Sequence, residues 1–132
     1  MNGNVILVGD DYAMLLQLAV GLRGTPDTVT MVESARPLAR ALQLVVHRPR
    51  AMLVTLDGLE NVVDVRALLS TSPETRFMFT VPQMPPRHPV ARVVGEYGGV
   101  IMSRRDELVV MVATLVALLA RTPAARQPRG AA

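Results

Sequence analysis

Apolar residues fall along this chain in two alternating kinds of segment, short β-branched runs and longer stretches with helical spacing. Val5-Ile6-Leu7-Val8 is a continuous apolar run closed by Gly9-Asp10-Asp11, the pattern of a buried strand followed by a loop. Asp11 is placed to cap a helix from Tyr12 to about Arg23, which Gly24-Thr25-Pro26 stops. Val29 to Val32 predicts a second strand. From Ser34 to His47 the polar residues Arg36, Arg40, Gln43 and His47 recur at intervals of 4, 3 and 4, one solvated stripe of a helix. Pro37 is tolerated in the first turn of that helix, and Pro49 closes the unit.

The alternation continues to the end of the chain. Ala51 to Leu56 predicts a third strand, Leu59 to Leu69 a third helix, and Phe77 to Val81 a fourth strand. The segment from Pro82 to Pro89 is too rich in proline for a helix or a paired strand and predicts a stiff surface loop. A short helix from Val90 to Tyr97 follows, Gly98-Gly99 turns into a fifth strand over Val100 to Met102, and a last helix runs from about Asp106 to Arg121. Five strand-then-helix units imply a parallel sheet covered on both faces, because parallel strands need helical crossovers. The fold class is therefore α/β: a flavodoxin-like three-layer sandwich around a five-stranded parallel sheet of (βα)5 topology.

The length of 132 residues suits one such domain, placed at 1–121. The stretch 122–132, rich in Pro, Arg and Ala, has no apolar periodicity and reads as a linker or frayed tail. With half its residues apolar and a mean hydropathy of +0.31, the chain has the composition of a folded protein.

Charge narrows the chemistry. All 14 basic residues are arginine, so lysine general bases, Schiff-base lysines and the P-loop lysine are excluded. Cysteine is absent, which excludes disulfides, thiolate catalysis and thiolate metal sites. His47 and His88 are the only histidines and stand in no metal-ligand spacing. The isoelectric point near 10.5 raises the question of nucleic acid. The arginines are scattered and only two Tyr and two Phe are present, so direct nucleic-acid binding is not predicted. The first residues lack a basic leader pattern, which predicts a cytoplasmic protein without a membrane segment.

In folds of this class ligands bind beyond the carboxyl ends of the strands. Asp10 and Asp11 follow the first strand, Asp57 follows the third, Thr80 ends the fourth, and Ser103-Arg104-Arg105 follows the fifth. Asp10, Asp11 and Asp57 together would offer oxygen ligands to one Mg2+. The competing reading makes Asp11 a helix cap and Asp57-x-x-Glu60 a capping arrangement at the start of the third helix.

From about Val5 to Arg121 this arrangement resembles the receiver domain of bacterial response regulators. Ile6-Leu7-Val8-Gly9-Asp10-Asp11 is similar to the family's opening strand and acidic pair, Leu53-Val54-Thr55-Leu56-Asp57 to the strand ending in the phosphorylated aspartate, and Phe79-Thr80 to the strand ending in the switch hydroxyl. The resemblance implies a two-component signalling role with no enzymatic activity. It makes Asp57 the phosphoacceptor candidate, Asp10 and Asp11 the acidic pocket, Mg2+ the cofactor of a working pocket and a histidine kinase the phosphodonor. A receiver of this kind commonly regulates transcription through another domain or partner.

Departures from the family pattern point to an atypical, pseudo-receiver pocket. Ser103 and Arg104 occupy the place of the family's lysine, no proline follows, and Ile101 replaces the aromatic switch residue. Asp57-Gly58-Leu59-Glu60 also matches the family's start of helix three, which would put Thr55 in the phosphoacceptor place. Both registers stand at this level. Without a positioned cation, phosphoryl transfer loses electrostatic stabilisation on the order of a few kcal/mol.

The last helix carries the second signal. Leu108 to Ala120 is apolar all round except for Thr114, whereas an outer helix of a three-layer sandwich needs one buried stripe. These thirteen residues fall short of the roughly twenty that span a bilayer. Leu108, Val112, Leu115 and Leu119 are the interface candidates for a homodimer or protein partner. In the receiver family the corresponding face is the usual dimer or partner surface.

Overall fold

The computed structural model describes residues 4–83, 89–104 and 106–120. The strands are β1 (Asn4–Gly9), β2 (Thr28–Glu33), β3 (Ala51–Thr55), β4 (Arg76–Val81) and β5 (Val100–Ser103). Between and after them come α1 (Tyr12–Gly21), α2 (Pro37–Leu44), α3 (Val62–Thr71), α4 (Pro89–Glu96) and α5 (Leu108–Leu119). All strand pairs are parallel and the sheet order is β2-β1-β3-β4-β5. The chain therefore starts in the sheet, reverses direction after β2, and leaves a switch point at the carboxyl ends of β1 and β3.

Strand alternation divides the core into two layers. Ile6, Val8, Met52, Val54, Phe77 and Phe79 face α2, α3 and α4. Val5, Leu7, Leu53 and Met78 face α1 and α5 with Leu15, Leu18, Met111 and Leu115. Phe77 and Phe79 stack at 6.1 Å between ring centroids. The central strands β3 and β4 are buried at every position, which is why their middles, Ala51 to Val54 and Phe77 to Phe79, read as apolar runs.

The order and type of all five strands and five helices follow the sequence pattern, and the differences lie at boundaries. The helix predicted over Ser34 to His47 is α2 followed by a turn of 3-10 helix at Val45–His47. Arg48 then takes a left-handed conformation (φ 50°), which ends the unit before Pro49. Helix α3 starts at Val62 rather than Leu59, because Asn61 caps it by accepting the Val63 N–H at 2.8 Å. Pro89, the last residue of the predicted loop, opens α4 instead, where its missing N–H costs nothing. The predicted loop at 84–88, His88 within it, and the tail at 122–132 lie outside the described residues. No helix among the described residues is long and apolar enough to cross a membrane.

Candidate functional site

Gly9 and Thr55 end neighbouring strands at the switch point. A Cβ on Gly9 would lie 2.9 Å from both Thr55 Cγ2 and Oγ1, so only glycine leaves room for the threonine. Thr55 is fully buried and bonded to the residue that follows Gly9. Its Oγ1 accepts the Asp10 N–H at 3.4 Å and donates to Asp10 Oδ1 at 3.5 Å, the outer limit of a hydrogen bond. Thr80 pairs in register with Thr55 on β4, and its buried Oγ1 has no hydrogen-bond partner among the described residues.

Arg104 closes the site from the far side of the sheet. Its N–H continues the β5 ladder to the Val81 carbonyl at 2.7 Å. From there the side chain reaches back over β4 and β3. Nη2 donates to the Leu56 carbonyl at 2.8 Å and lies 3.7 Å from Asp10 Oδ1. The Arg104 side chain is half-buried at 26% exposure while that of Asp10 is 46% exposed, so water shields this ion pair from the Asp10 side. Ser103 is held differently, with its N–H donating to Asp106 Oδ2 at 3.1 Å.

The remaining acidic candidates are engaged in local structure. Asp11 is the N-cap of α1, its Oδ1 accepting the Met14 N–H at 3.3 Å. Asp57 lies two residues beyond the end of β3 and is exposed. Its Oδ1 accepts the Leu59 N–H at 2.7 Å, while Glu60 accepts the N–H groups of Asp57 and Gly58 at 2.7 and 2.9 Å. The Asp57-x-x-Glu60 arrangement is thus a closed loop of its own and not the cap of α3, a correction to the capping expectation. The structure brings together Asp10, Thr55 and Arg104, with Thr80 buried beside Thr55 on the next strand.

This donor set does not suit the Mg2+ that the sequence resemblance implies. A hard divalent cation needs several oxygen ligands free to face it. No three His, Cys, Asp or Glu side chains gather in a metal-binding group among the described residues. The Asp10 carboxylate faces a guanidinium instead, and a neutral hydroxyl stands beside it.

The outer surface requires a second correction. Leu115 and Leu119 are buried in the protein's own core, and Leu108 and Val112 pack against it. All four interface candidates point inward. The outward face of α5 is formed by Val109, Val110, Ala113, Val116, Ala117 and Ala120, with Val109 67% exposed. A helix that is apolar all round offers no phase from which to choose the inner stripe, so the sequence pattern could not separate the two faces. On the inner flank Val112 fills the space beside Gly21 of α1, where a Cβ would come within 2.7 Å of Val112 Cγ2.

Two groups carry no sequence signal at all. Arg50 Nη1 pairs with Asp27 Oδ1 at 3.0 Å, and Arg50 Nη2 donates to the Leu119 carbonyl at the end of α5. The partners lie 23 and 69 residues away from Arg50, beyond the reach of any local pattern.

No protein-family model matches the sequence, and no curated protein sequence does. Solved structures do match the fold. A LuxR-family two-component response regulator from Aurantimonas sp. SI85-9A1 superposes with TM-score 0.69 at 15% identity, covering 91% of this chain and 86% of that one. A CheY-like response regulator receiver domain protein from Methanospirillum hungatei JF-1 gives 0.68 at 11% identity, covering 90% and 94%. The signal receiver domain of an HD domain-containing protein from Pseudomonas fluorescens Pf-5 gives 0.67 at 17% identity, covering 90% and 95%. The architecture is the flavodoxin-like α/β class. Within that class, the chain has the fold of response-regulator receiver domains, CheY-like in order and extent.

Proposed function

We propose that this protein is an atypical receiver module that signals by protein–protein contact, as a homodimer formed through α5, and that it is not driven by a phosphoryl switch. The observation that carries the reading is the outward face of α5. Five apolar side chains of the helix lie there, with Ala120 at its C-cap, and no charged residue is on the helix. A surface helix ordinarily keeps a polar face to water, so this one gains free energy when a partner covers it. Ala113, Ala117 and Ala120 are small enough for a second helix to approach closely, and the face offers a second copy a matching surface under two-fold symmetry.

The pocket supports the second half of the reading. Phosphoryl transfer to a receiver needs a carboxylate nucleophile and cations on the transferred group. Here the residue at the end of β3 beside Asp10 is Thr55, whose hydroxyl is a weak nucleophile. The protein in this reading is a non-enzymatic, cytoplasmic component of a two-component system.

Light scattering after size exclusion, at tens of micromolar, tests the dimer. The parent is expected to run as a dimer and Val109→Glu/Val116→Glu as a folded monomer, while Leu115→Glu unfolds because Leu115 is fully buried. A monomeric parent would sink the homodimer, and retention of a purified kinase or effector by the same face would replace it with a heterologous contact. Incubation with Mg2+ and a small phosphodonor, read by intact mass, tests the pocket. No added phosphoryl group is expected. A gain that Asp57→Asn abolishes would establish the opposite reading, a working phosphoacceptor at Asp57.

A further inference from the structure

We propose that the Arg104 guanidinium takes the position a divalent cation would hold, so that the carboxyl end of the sheet carries its own permanent counter-charge and takes up no Mg2+. The inference rests on the reading of the pocket above and adds the residue that fills it. Hard cations are held by carboxylate and carbonyl oxygens. One nitrogen, Arg104 Nη2, covers one of each: the Leu56 carbonyl at 2.8 Å and Asp10 Oδ1 at 3.7 Å. Both oxygens belong to the switch point, following β3 and β1 respectively.

Charge balance agrees with the geometry. Among the described residues Asp10 is the carboxylate that meets both Thr55 and Arg104, while Asp11 Oδ1 accepts the Met14 N–H and Asp57 Oδ1 the Leu59 N–H. One carboxylate is matched by one guanidinium. A doubly charged ion entering there would meet a fixed positive charge and a neutral Thr55 hydroxyl. An arginine supplies this positive charge from the chain itself, with no ion taken up from solution. The buried Arg104 Nε, which has no hydrogen-bond partner among the described residues, shows that the side chain is packed inward rather than solvated along its length.

Mn2+, followed by electron paramagnetic resonance of the free ion, is a direct probe of the full chain. The parent should leave the free-ion signal unchanged up to about one millimolar, the weak end of protein sites for hard cations. Thr55→Asp/Arg104→Gln removes the guanidinium and supplies a second carboxylate, and it should bind Mn2+ about tenfold tighter or more, with Mg2+ competing. Circular dichroism confirms that each variant is folded, and Thr55→Asp/Arg104→Ala is the substitute if the glutamine form is not. Parent binding of Mn2+ that Asp10→Asn abolishes would overturn the inference, as would folded double variants that bind no more than the parent. A parent that binds Mn2+ yet gains no phosphoryl group removes this inference and leaves the proposed function standing. A parent phosphorylated at Asp57 removes that function instead.

Discussion

Replacing Arg50 by methionine should destabilise the domain more than its half-exposed position suggests. Arg50 and Asp27 form an ion pair in which the Asp27 side chain is 1% exposed and that of Arg50 34%. Arg50 Nη1 reaches Oδ1 at 3.0 Å and Oδ2 at 3.4 Å, and Nη2 binds the Leu119 carbonyl. Arg50→Met keeps the length of the stem but withdraws the positive charge from a buried carboxylate. Removing one partner of a buried pair costs about 3–5 kcal/mol, and the partial access of water to Arg50 places this pair near 3 kcal/mol. For a chain of this size that is a fall of roughly 10 °C in Tm. Asp27→Asn removes the charge and retains an acceptor, so it should cost about 1 kcal/mol. The double variant leaves no carboxylate unpaired and should cost about 2 kcal/mol rather than the sum of about 4, a coupling of about 2 kcal/mol in a double-mutant cycle. Urea unfolding followed by circular dichroism measures all three, since the chain has no tryptophan to report. If Arg50→Met unfolds within about 0.5 kcal/mol of the parent, the range of ordinary surface changes, the ion pair is not a structural tie and the reasoning fails.

Two further outcomes test the packing and the loop. Gly21→Ala should lower stability by about 1–3 kcal/mol, because the new methyl meets Val112 Cγ2 at 2.7 Å and Cγ1 at 3.0 Å; Val112→Ala in the same chain should recover part of the loss in thermal melts. Asn61→Ala should cost about 1 kcal/mol by uncapping α3, and Asp57→Ala clearly less, since Asp57 is exposed and bonds only within its loop; equal losses in urea titrations would show that Asp57 supports the helix after all.

The element order was legible because each layer of this fold writes a distinct pattern. Strands buried on both faces, such as Met52 to Val54 and Phe77 to Phe79, appear as short apolar runs. Helices buried on one face appear as stripes, such as Arg40 and Gln43 on α2 with Arg36 at its N-cap. Asp11 as a cap was equally legible, because a cap acts within three residues of its own position. Asp57 was ambiguous for the converse reason: its sequence neighbourhood fits a strand end and a helix start, and only the hydrogen bonds of Glu60 and Asn61 separate the two.

The sequence by itself determined the class of fold, the absence of lysine and cysteine chemistry, and the presence of a helix too apolar for its place. These are properties of composition and of local period. Tertiary structure decided which face of α5 is free, that Thr55 lies against Asp10, that Arg104 reaches the Leu56 carbonyl, and that Arg50 ties Asp27 to the end of α5. Each of those contacts joins residues far apart in the chain, where the partner is set by how the strands order in the sheet. The phase of a uniformly apolar helix is likewise set by what it packs against, and no pattern within the helix records it.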